Sequence, residues 1–132
     1  MYSFTIHVPG PFPAAVERVV AALKDEGFGV LADIDVQATL KAKLGLERSA
    51  YRILGACNPE LASQALDADP DIGALLPCNV VVRDDGGAGI GVCFMDPGAV
   101  LELAGKPGID ALGREVRTRL QRVARALEHP PA

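Results

Sequence analysis

Two Cys-Asn pairs stand where apolar segments meet turns. Cys57-Asn58 closes the run Tyr51-Arg52-Ile53-Leu54-Gly55-Ala56, and Cys78-Asn79 opens Val80-Val81-Val82. Pro59 suits the first position of a helix, and Asn58 before it suits the N-cap, where its side-chain oxygen accepts an orphan backbone N–H. Cys57 then sits just ahead of a helix N-terminus, whose positive dipole end favours a thiolate. Cys57, Asn58, Cys78 and Asn79 form the candidate ligand-binding set, with Cys57 and Cys78 as candidate metal ligands.

Three chemistries fit these residues. In the first, the paired thiols and amides form a binding module for a small molecule or a soft metal ion such as Cu(I) or Zn²⁺. Two thiolates fall short of the four protein ligands of a closed zinc site, so a dimer or an exogenous ligand would have to complete it. In the second, a redox or sulfur-transfer enzyme, Cys57 attacks a sulfur or peroxide substrate and Cys78 resolves the product. This requires a depressed Cys57 pKa, yet no histidine or basic cluster lies within the two motifs to activate a nucleophile. In the third, the protein is a structural or interaction homodimer whose cysteines only pack, since free cysteine is among the most buried residues.

The remaining reactive residues read as scaffold. Cys93 alternates with Gly91 and Met95 inside Ile90–Met95, a pattern that marks core filler. His7 falls on the polar face of its strand and has no second ligand at strand or helix spacing, so it reads as solvent-facing. Gly86-Gly87-Ala88-Gly89 joins two apolar runs rather than preceding a helix, which argues against a phosphate loop. No Ser-His-Asp set announces itself, and no catalytic residue or cofactor is assigned.

At 132 residues and 49% apolar content the chain is expected to form one domain, 1–132, with a real core. A net charge of −4 without a lysine-rich run argues against nucleic acid as a partner. No apolar run approaches the roughly 20 residues of a membrane span, and Met1-Tyr2-Ser3-Phe4 lacks the features of a signal peptide. A cytoplasmic location is expected, with the three cysteines reduced.

The elements that must position the thiols follow from periodicity. Phe4, Ile6 and Val8 alternate with polar residues as a first strand. After Gly10-Pro11-Phe12-Pro13, a helix carries Val16, Val19, Val20 and Leu23 on one face and ends at Gly27. Residues 28–34 supply a second strand, and Asp35 caps a short helix on which Val36, Leu40 and Leu44 share a face before Gly45. The third strand runs from Ala50 to Cys57. A helix with Leu61, Ala62, Ala65 and Leu66 follows, ends at Pro70, and leads through a short apolar connection to a fourth strand, Cys78 to Arg83. Asp84–Gly89 forms a hairpin turn into the fifth strand, Ile90 to Met95. Ala99–Leu103 makes a helical turn or two. A long helix then places Ile109, Leu112, Val116, Leu120, Val123 and Leu127 in one stripe, with Glu115 able to pair with Arg119. Its arginines are not gathered into one stripe and read as a solvated face.

This order predicts an α+β fold, β-α-β(4)-α with helical inserts, whose antiparallel sheet of about five strands packs on helices. Antiparallel alternation makes Cys57 and Cys78 neighbours. The segments Ile34–Lys41, Tyr51–Pro59 and Leu75–Val82 closely resemble, in order, the domain-of-unknown-function family 302, and the resemblance covers nearly the whole chain. It implies a small α+β fold with an antiparallel sheet, similar to the TATA-binding-protein-like arrangement, and homodimers. Both Cys-Asn pairs belong to the family pattern. The resemblance implies no activity.

Overall fold

A computed structural model describes residues 1–129 of the chain. Its five strands are β1 (Ser3–Val8), β2 (Gly29–Asp35), β3 (Tyr51–Cys57), β4 (Cys78–Asp84) and β5 (Ile90–Met95). They form one sheet in the order β1-β5-β4-β3-β2, with every neighbouring pair antiparallel. The helices are α1 (Phe12–Asp25), α2 (Val36–Leu44), α3 (Pro59–Ala68), α4 (Pro97–Val100) and α5 (Pro107–Glu128). The expected α+β architecture is therefore present, strand for strand. The connection after α3 is more ordered than periodicity suggests, since Pro70–Leu75 winds into a 3₁₀ helix that buries Ile72.

One sheet face is built for burial. Leu54 and Ala56 from β3, Val80 and Val82 from β4, and Val92 and Phe94 from β5 are all buried. Ala15, Val16, Val19 and Leu23 of α1 and Val116, Leu120 and Val123 of α5 complete that core. Their spacing of three or four residues is the stripe a helix presents to a sheet. The 22-residue α5 spans the layer. Its other faces are tied by ion pairs, Arg119 to Glu115 at 3.0 Å and Arg122 to Glu26 at 2.8 Å, which suits a scaffold role for this arginine-rich helix.

One expectation about faces fails, and one helix face stays outside the core. Cys93 is half-exposed rather than core, because Ile90, Val92 and Phe94 take the buried side of β5 and leave Gly91, Cys93 and Met95 on the other. Both alternating sets are apolar, so period two alone does not choose between them; the bulkier set occupies the interior. On α2, Val36, Leu40 and Leu44 face no core: the helix buries no residue, and Leu44 is 65% exposed. Its ends form as expected, with Asp35 accepting from the Ala38 N–H at 2.9 Å and Gly45 left-handed at φ 67°.

The α4–α5 corner is fastened by a buffered carboxylate. Asp96 caps α4 through the Gly98 and Ala99 N–H groups and accepts from Arg117 Nε at 2.7 Å. Burial raises the Asp96 pKa, but the Arg117 hydrogen bond and the two backbone donors outweigh it and hold the carboxyl below its ordinary value.

Candidate functional site

Register brings the two thiol-bearing segments together. Ala56 of β3 lies directly opposite Cys78 of β4, so Cys57 is one residue beyond the partner of Cys78, and it pairs on its other side with Gly29 of β2. The chain leaves β3 at Asn58, which N-caps α3: its Oδ1 accepts from the Leu61 N–H at 3.1 Å, with Pro59 in the first turn. Asn58 is buried, and its Nδ2 packs where Gly27 leaves room, 2.9 Å from the position a Cβ there would take. Gly27 has φ 85° and no side chain, and both properties serve this contact.

Cys57, Asn58 and Cys78 all line a single cavity of about 440 Å³ at this end of the sheet. Asn79 does not join them. It follows Cys78 in the strand, points to the opposite face and is exposed, as the two-residue period of a strand dictates. Three of the four candidate ligand-binding residues are thus gathered and the fourth is turned away.

The remaining walls come from elements with no obvious chemistry. Phe28 and Leu31 approach from the β2 side, Leu61 and Leu66 from α3, and Leu101 and Val116 from the far side of the layer. The space exists because small residues line it: Ala32, Ala56, Ala62, Ala65 and Gly73 stand where bulkier side chains would fill it. Gly55 seats Pro77, another wall residue, since a Cβ at Gly55 would come within 2.9 Å of Pro77 Cγ. Ala62 and Ala65 on the apolar stripe of α3 are the one sequence signal of a void, because a stripe meant to fill a core normally carries larger residues.

The electrostatics run against the chemistry first expected of a cysteine at a helix N-terminus. Burial pushes the Cys57 thiol above its ordinary value rather than below it. Cys78 is pushed up to about 12, chiefly by burial and then by the negative charge Cys57 would carry. With both shifts upward, both groups are thiols, not thiolates, at neutral pH. Among the described residues no group of three or more His, Cys, Asp or Glu side chains lies close enough to hold a metal, so the candidate metal pair Cys57 and Cys78 has no third such ligand among them.

Elsewhere, His7 contacts Asp85 at 2.9 Å through Nε2, and Arg83 Nε binds the same carboxylate at 3.0 Å. These contacts hold Asp85 below its ordinary pKa, the His7 bond most of all. The group ties β1 to the β4–β5 turn.

A two-layer domain with an apolar cavity at the end of an antiparallel sheet is the class this geometry defines. The model of the family described as domain of unknown function DUF302 matches residues 4–127, and the chain belongs to that family. It is also similar to the crystal structure of an uncharacterized conserved DUF302 protein from Bacillus stearothermophilus. That similarity spans 97% of each chain at 29% identity, with a TM-score of 0.84. No curated protein matches the chain. Among the described residues no helix is long and apolar enough to cross a membrane.

Proposed function

We propose that this domain is a small-molecule-binding module whose site is the cavity rimmed by Cys57, Asn58 and Cys78. The observation that carries the reading is the cavity itself. Its volume of about 440 Å³ falls within the roughly 300–1,000 Å³ of small-molecule sites, and both Cys57 and Cys78 line it. The soft-metal version lacks a third ligand, and the thiol-enzyme version, with Cys57 attacking and Cys78 resolving, would need an ionised Cys57 that burial opposes. Free cysteines support a reducing, cytoplasmic setting.

Prodan, a neutral solvent-sensitive naphthalene dye, tests the reading. Its emission is expected to shift to the blue with the wild-type protein and to shield Cys57 from alkylation. Ala62→Phe, which projects a ring into the space, is expected to weaken the dye by about tenfold or more while leaving the circular dichroism spectrum intact. Equal binding by both proteins, or none by either, would count against the cavity as a site.

A homodimer is the second reading, favoured by the state of β2. This edge strand is exposed along nearly its whole length, with Leu31 at 73% and Ile34 at 50%, and its free backbone groups could pair with those of a second copy. Sedimentation finding only monomer at micromolar concentration would remove this reading.

A further inference from the structure

The cavity divides the apolar interior in two. On one side is the main core, which contributes Ala56, Leu61 and Cys78; on the other is a smaller cluster of Ala65, Ile72, Leu101 and Ile109, with Leu76 packed against it and Leu112 packed against both. Members of both form its walls. Apart from the two thiols, no lining residue carries an ionisable group. The one amide there, that of Asn58, holds the α3 N-terminus through Oδ1, and its Nδ2 lies beside Gly27.

We infer that the occupant is an uncharged, apolar molecule of about ten to eighteen non-hydrogen atoms, held between the two clusters by contact with both. The size follows from scale, since 440 Å³ is about three times the roughly 150 Å³ that takes up benzene. The inference rests on the binding function proposed above and adds the class of ligand. A charged group brought into these walls would lose its hydration and meet no counter-ion. An apolar molecule meets instead a surface that water covers poorly, with polarizable sulfur at the rim and within. Such an occupant would also join the smaller cluster to the main core, fastening α3 and the 3₁₀ helix after it.

Displacement of prodan by ten-carbon ligands of different charge tests the class. Decanol is expected to compete at least about tenfold better than decanoate or decyltrimethylammonium at about pH 8, where the carboxylate is ionised. Decanol should also slow amide exchange across residues 59–77, and it should do neither in Ala62→Phe. Charged ligands that compete as well as decanol, through a site that Ala62→Phe blocks, would overturn the ligand class and leave the binding function standing. Decanol binding unaffected by Ala62→Phe would overturn both.

Discussion

Phe94→Ala is expected to destabilise the domain by about 3–5 kcal/mol, the range for truncating a fully buried aromatic residue. Phe94 has no solvent exposure and sits near the end of β5, opposite Phe4 of β1 and Val80 of β4. Its ring stacks on that of Phe4 with centroids 5.1 Å apart and planes 13° from parallel. The substitution therefore removes apolar area from the core, leaves a void that rigid neighbours on three strands cannot close, and breaks an aromatic pair. Against the roughly 5–15 kcal/mol that separates most folded domains from unfolded ones, this is a large share. Phe94→Leu keeps most of the volume and is expected to cost about 1.5 kcal/mol. Urea titrations followed by circular dichroism measure both. A loss below about 1.5 kcal/mol for the alanine variant would mean that β5 is not the centre of the core.

The same strand shows what a linear pattern can and cannot reveal. Its existence, and its hairpin with β4, follow from two apolar runs flanking Asp84–Gly89, because local turn chemistry and period two act over a few residues. Which side of β5 is buried does not follow, since Ile90, Val92 and Phe94 compete with Cys93 and Met95 and only packing against α1 and α5 decides. The placement of Cys57 and Cys78 at one end of the sheet is legible for a topological reason: once β3, β4 and β5 alternate in direction, the end of one strand must lie beside the start of the next. Asn79 follows Cys78 in β4, so the two-residue period sends it to the opposite face. The cavity was hardly legible at all. It is a property of what is missing, the side chains that Ala32, Ala62 and Gly73 do not have, and its far walls at Leu101 and Val116 arrive from elements dozens of residues away. Nor does a Cys-Asn-Pro sequence disclose the direction of the thiol pKa shift, because the burial that raises it is set by those distant walls.

Gly113→Val is expected to destabilise the domain by about 3 kcal/mol and to weaken prodan binding at the same time. Gly113 lies buried on α5 where α4 crosses it, and a Cβ there would stand 2.7 Å from the Pro97 carbonyl oxygen and 3.3 Å from Leu101 Cβ. The first contact is with backbone, which cannot swing aside as a side chain can. Nor is α4 free to retreat, because Asp96 at its N-cap is held by Arg117 one turn further along α5. A valine must therefore push Pro97 and Leu101 outward together, and Leu101 is a wall of the cavity. Helix propensity works in the opposite direction, since any residue but proline improves on glycine by up to about 1 kcal/mol in a helix interior. Gly113→Ala consequently combines that gain with the smallest version of the clash, and its stability should lie between wild type and the valine variant. The urea midpoint, with the slope unchanged, reads the stability, and prodan titration reads the wall. A valine variant as stable as wild type would show that the close approach of α4 to α5 is not fixed. One that loses stability but binds prodan as before would separate this corner from the cavity.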